Sequence, residues 1–226
     1  MRRVRVPLAV LPGLGLALVL ALGLGLALGL GGCGGSVPAA RFYVLDYEAA
    51  PGGEAAAGGA VAAAKPPGAR ASLVLGIDAF TTSPLYTDRR IAYRASAHEV
   101  VYYPNHYWAA APGDLVADAI AKQIRRSGAV ETVAVAPFAR TPDWLLSGDL
   151  VTFEEVERDG RGSARIVLVA RIEAVADGRL LREEEIRAER PVAKRNPEDV
   201  AAAMSAAVEE VGARVIALIG AEAAKR

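Results

Sequence analysis

Between Ser72 and Glu222 the apolar residues change spacing three times: from two to three-or-four, back to two, and again to three-or-four. Such a succession restricts the chain to a sheet covered by helices, because each period buries one face and each face needs a partner layer. Ser72–Ala79, Ile91–Ser96 and Glu99–Tyr103 read as short strands, with Pro104 and Asn105 ending the second pair. Asp114–Ser127 places Leu115, Val116, Ala119, Ile120 and Ile124 on one helical face, and Gly128 stands at the stop. Val130–Ala136 returns as a strand. Leu146–Glu157, Arg165–Val175 and Arg179–Glu189 then form a meander around the turns at Arg158–Gly162 and Asp177–Gly178. In its middle strand Ile166, Leu168, Ala170, Ile172 and Ala174 share a face, whereas Glu183, Glu184, Glu185, Arg187 and Glu189 mark the last as a solvated edge.

The closing helix carries its own start signals, with Asn196 as cap, Pro197 at the first position, and Glu198 and Asp199 at the positive end of the dipole. Val200, Met204, Val208, Val211, Val215, Leu218 and Glu222 trace its buried stripe. The expected class is therefore α/β (α+β): a mixed sheet with two main helices on one face, in the order βββαβ-βββα. A short strand at Arg41–Tyr47 precedes it, followed by a flexible Ala/Gly/Pro-rich loop at 49–71 that lacks the large side chains needed to offset ordering.

The N-terminus follows other rules. Arg2, Arg3 and Arg5 precede an uncharged stretch from Val6 to Gly32, and Leu30-Gly31-Gly32 leads into Cys33, the single cysteine. A basic region, an apolar region and small residues before a cysteine read as a lipoprotein export signal. Glycines at positions such as 13, 15, 23, 25 and 29 argue against a spanning helix, since each weakens a helix by about 1 kcal/mol relative to alanine. The expected organisation is signal peptide 1–32, lipidated tether 33–40 and domain 41–226. Diacylglyceryl on the Cys33 sulfur and an amide-linked fatty chain such as palmitate would anchor the mature protein stably. No aspartate occurs in Gly34-Gly35-Ser36, which favours the outer over the inner membrane, facing the periplasm.

Removing residues 1–32 from 226 leaves 194, one ordinary domain, with 23 basic against 26 acidic residues once the three signal arginines are gone. Nucleic-acid binding needs a clustered basic face, and Lys122-Arg125-Arg126 and Lys194-Arg195 read instead as solvated surface. With one cysteine, no internal disulfide can form. No nucleophile elbow, phosphate-binding loop, zinc-type Cys/His set or dinucleotide fingerprint occurs, so neither an enzyme nor a cofactor or metal is expected. His98 and His106 read as structural, and the pairs Glu154-Glu155 and Glu183-Glu184 point to opposite strand faces. Phe80, Tyr86, Tyr93, Tyr102, Tyr103, Tyr107 and Trp108 put seven of the chain's thirteen aromatics within 29 residues, in and before the expected hairpin. Two readings stay open for it: cross-strand packing, with Arg94 placed for cation-π contacts, or a surface that grips a partner protein or lipid.

The stretch YRASAHEVVYYPNHYWAAAPGDLVADAIAKQIRRSG, Tyr93–Gly128, resembles the ABC-type transport auxiliary lipoprotein family, with its YR, YY, W-A and P pattern leading into a helix. FYVLD, LVLGIDAF and LSGDLVTFEE agree, while the long Ala/Gly insertion departs from the usual short link. The resemblance implies a non-enzymatic lipoprotein serving an MCE-type ABC transporter that moves phospholipid or other hydrophobic molecules across the bacterial envelope. Its partners would be an MCE-domain protein and the permease/ATPase complex. Homo-oligomerisation stays open. Arg94, Tyr102, Tyr103 and Trp108 match the family pattern, as docking or architectural residues. The rival readings are a structural envelope lipoprotein or assembly factor without transport role, and a hydrolase lacking recognisable motifs.

Overall fold

The computed structural model describes residues 38–46 and 71–226. The signal peptide, the lipidation site Cys33 and the loop expected at 49–71, apart from Ala71, lie outside the described residues.

One strand organises the rest. Trp144–Arg158 (β7) pairs antiparallel along one whole edge with Arg161–Ala174 (β8), from Trp144 opposite Ala174 to Arg158 opposite Arg161. Its other edge serves three parallel neighbours in turn. Leu75–Ile77 of Ala71–Ile77 (β2) pair with Trp144–Leu146, Thr81–Thr82 (β3) with Asp149 and Leu150, and Tyr93 and Arg94 of Arg90–Ser96 (β4) with Glu155 and Val156. Beyond β2 lies Val130–Val135 (β6), parallel; beyond β4 lies Glu99–Trp108 (β5), antiparallel. Arg41–Tyr43 (β1) closes that side parallel to β5, and Arg179–Pro191 (β9) closes the meander against β8. The expected mixed α/β architecture is present.

Both helices pack on one face of the sheet. Pro112–Ser127 (α1) stops at Gly128, whose φ of 65° is the left-handed conformation that lets its N–H cap Arg125 O. Pro197–Ala223 (α2) begins where Asn196 accepts a hydrogen bond from the Asp199 backbone N–H at 2.9 Å. Val200, Met204, Val208, Val211, Val215 and Leu218 are buried as their spacing requires. At the helix crossing, a Cβ on Gly212 would stand 2.1 Å from Gln123 Oε1, so glycine is what allows the buried Gln123 to reach across and bond Val208 O. Under the helices, Ile166, Leu168, Ala170 and Ile172 of β8 meet Leu146, Leu150 and Phe153 of β7 in the core.

Several boundaries differ from the sequence expectation: β7 starts at Trp144 rather than Leu146, β8 starts at Arg161, inside the turn expected at Arg158–Gly162, and the two-residue β3 stands outside the expected set. The first strand ends at Tyr43 rather than Tyr47. In contrast, β5 runs through Pro104 and Asn105 instead of stopping there. The physical reason is a bulge: Arg90 faces Tyr107 while Ala92 faces Tyr102, so β5 spends extra residues over that interval. Pro104, which has no N–H to donate, and Asn105, at φ 61°, fall inside it, where the ladder needs neither.

Candidate functional site

The β4–β5 hairpin and the facing end of β7 gather the aromatic residues around two adjacent carboxylates. Glu154 and Glu155 are 2% and 1% exposed, and as consecutive strand residues they project to opposite faces. Burial of a charge is costly unless it is paired, and each has partners from a different element.

Glu154 is held from two sides. Arg94 of β4 donates Nε to Oε1 at 2.6 Å and Nη2 to Oε2 at 3.0 Å, and the buried Tyr86 hydroxyl donates to Oε2 at 2.7 Å. Tyr86 arrives on a short 3-10 turn, Pro84–Tyr86, started by its proline. Burial, reinforced by the Glu154 carboxylate, raises the Tyr86 pKa well above its ordinary 10.0. Hydrogen bonding to Glu154 raises that of Arg94, so the guanidinium stays charged.

On the other face Tyr103 of β5 donates to Glu155 Oε2 at 2.6 Å, and Tyr93 packs against the Tyr103 ring at 5.1 Å. Burial, then Glu155, again raises the phenol pKa. Arg195, in the turn before α2, approaches Glu155 Oε1 at 3.8 Å and pairs with Glu157 at 2.8 Å. Oε1 itself is buried without a hydrogen bond. Gly162 on β8 makes room for that carboxylate, since a Cβ there would lie 2.4 Å from Oε1.

The four residues matched to the family pattern thus take separate places. Arg94 and Tyr103 hold the two glutamates. Trp108 is buried with its ring 5.1 Å from Phe153. Tyr102 lies nearer the surface, donating its hydroxyl to Leu85 O at 2.8 Å. The cation-π contact expected of Arg94 belongs to Arg90, whose guanidinium sits 4.4 Å over the Tyr102 ring; the buried carboxylate offers Arg94 a stronger, two-point partner than a ring face does. His106 Nδ1 bonds the Tyr43 hydroxyl at 2.8 Å, tying β1 to β5. Lys194-Arg195, expected as solvated surface, contributes Arg195 to the Glu155–Glu157 pairing.

Sequence reasoning missed Tyr86, Glu154, Glu155 and Arg195 as a set. The available signal was the position of both acids between Phe153 and Val156 in an apolar strand, which marks buried carboxylates in need of cations. Every charged group in this arrangement is committed to a partner, so its chemistry is that of a rigid frame. Among the described residues no group of acids, histidines and cysteines could hold a metal ion, and no helix is long and apolar enough to cross a membrane. The cavity of about 640 Å3 beside the β7–β8 turn is lined by Arg158, Asp159, Arg161, Ser163 and Glu189 among others, with no histidine.

A family model described as ABC-type transport auxiliary lipoprotein component matches residues 58–216. Among solved structures, a Xanthomonas campestris protein of the DUF330 family shares 23% identity, with a TM-score of 0.63 over 69% of this chain and 90% of its own. An uncharacterised protein shares 14% identity, with a TM-score of 0.56 over 82% of this chain and 99% of its own. Both show the same fold. None of the curated proteins matches the chain.

Proposed function

Since the chain belongs to the ABC-type transport auxiliary lipoprotein component family, we propose that it is the membrane-anchored auxiliary of an MCE-type transporter moving phospholipid or other hydrophobic molecules across the bacterial envelope. The observation that carries this reading is the family match over residues 58–216, joined to a sheet whose buried Glu154 and Glu155 are held by side chains of β4 and β5. In this reading the protein is not an enzyme. Transport energy comes from the partner ATPase, and this chain contributes position: Cys33 carries the acyl chains, residues 34–40 are the tether, and the domain is a stiff docking body.

The frame suits that task. Docking surfaces work best when they are ordered before the partner arrives, because ordering a hairpin on binding costs free energy. The Arg94–Glu154 and Tyr103–Glu155 contacts, with Trp108 buried behind them, fix the β4–β5 hairpin from both faces. Their role in docking is then indirect. The absence of aspartate after Cys33 favours the outer membrane, facing the periplasm.

The test is affinity purification of the lipidated protein from membranes. Co-purification of an MCE-domain protein with the permease and ATPase is expected; recovery without any of them would overturn the assignment and favour a structural lipoprotein or an assembly factor for another complex.

A further inference from the structure

We propose that the outer face of β1 and the β4–β5 hairpin rests in the headgroup region of the membrane that anchors the protein, so that the folded domain itself touches lipid. The inference rests on the reading of Cys33 as the acylated residue.

Phe42, Tyr107, Arg90 and Tyr102 form one continuous row on this face, and the exposed Val44 and Leu85 flank it in the chain. Phe42 of β1 is 59% exposed and stacks on Tyr107 of β5 at 5.7 Å. Tyr107 stands opposite Arg90, which covers Tyr102, which bonds the backbone of Leu85, itself 46% exposed. Val44, 61% exposed, follows β1. Among the described residues six large apolar side chains are exposed, and these three belong to this one margin, while Val135, Val151 and Leu180 lie on other strands. Scattered apolar residues need no partner, but a contiguous set does. The contrast with the other margin is chemical. β9 faces solvent with Glu183, Glu185, Arg187 and Glu189, the charges that keep an edge strand single, and β1 has only Arg41.

The composition suits a lipid interface. Tyrosine rings with apolar bodies and polar tips settle at headgroup depth, and an arginine stem can lie along apolar surface with its charge among phosphates. Arg90 is met by Asp88 at 2.7 Å, so its own charge is paired within the face.

Chain length selects the membrane as occupant. Only eight steps separate Cys33 from Arg41, which cannot exceed about 28 Å even fully extended. A surface held that close to its binding plane meets it at high effective concentration, so a modest apolar contact is populated.

The test uses the full chain, processed in cells, purified with its lipid and reconstituted in phosphatidylethanolamine–phosphatidylglycerol vesicles with ordinary or brominated acyl chains. Phe42→Trp and Leu180→Trp each add one tryptophan at an exposed position, where folding is insensitive to the change. The emission added at position 42 should shift to the blue and fall at least about twofold on brominated lipid, while that at position 180 stays unchanged. Protein that floats with the vesicles but shows equal emission at position 42 in both lipids overturns the contact alone. A blue shift without quenching overturns it too, because a protein surface then covers the face. Protein that does not float overturns the anchoring, and the contact with it.

Discussion

Arg94 grips Glu154 at two points, Nε to Oε1 at 2.6 Å and Nη2 to Oε2 at 3.0 Å, and so joins β4 to β7 through a carboxylate only 2% exposed. Only two residue pairs register these strands directly, Tyr93 with Glu155 and Arg94 with Val156. The side-chain fork therefore supplements a short ladder at the point where the hairpin leaves the spine.

Breaking that fork should be costly in a way a surface pair is not. Glu154→Ala strands a partly buried guanidinium and the Tyr86 hydroxyl, and should lower stability by about 3 kcal/mol in urea unfolding. Asp88→Ala, which frees the exposed Arg90, should cost less than about 1 kcal/mol. A double-mutant cycle on Arg94 and Glu154 should return a coupling above about 1 kcal/mol; additivity would remove the fork from the account.

Tyr86 and Tyr103 should resist alkali. Their folded pKa values are raised above the ordinary 10.0, so the stability they contribute is fully present below that pH and is lost as pH rises through the folded values. Tyrosinate absorbance should show two of the seven tyrosines ionising only with unfolding, and Tyr86→Phe with Tyr103→Phe should abolish the lag.

Acid should act through other groups. Asp149 is held below its ordinary value by hydrogen bonds from Thr81 and then Arg171, and Glu184 by Arg214 and then Arg182. Folded pKa values that are depressed give stability present above the unfolded values and lost as pH falls through the folded ones. The melting temperature should thus decline below about pH 4, and Arg171→Gln should flatten part of that decline.

Gly113 has no room for a methyl group. A Cβ there would lie 2.4 Å from the Phe80 carbonyl oxygen and 2.5 Å from Thr82 Oγ1, both outside α1. Gly113→Ala should cost about 2 kcal/mol by forcing the helix away from the segment leading into β3, measured as a shift of the urea midpoint.

Cys33→Ser should leave the domain folded and release it from membranes. Fractionation reads the release, and complementation reads the transport role. Full complementation by the unacylated chain would show that anchoring is dispensable.

Most elements were legible from the residues alone, since period, caps and turn glycines act over a few neighbouring positions. The stripe Val200–Leu218, the cap at Asn196, the stop at Gly128 and the alternation Ile166–Ile172 depend on nothing distant, and the structure repeats them. Pairing is different, because period two says which face a residue takes and not which strand lies beside it. That β7 serves β2, β3 and β4 along one edge, that β5 absorbs Pro104 in a bulge, and that Arg94 meets Glu154 sixty positions away are outcomes of three-dimensional competition for buried partners. The sequence by itself determined the buried apolar stripes and most of the strands and helices. Only the tertiary structure decided which charge answers which, because a buried carboxylate takes the nearest cation that folding brings to it.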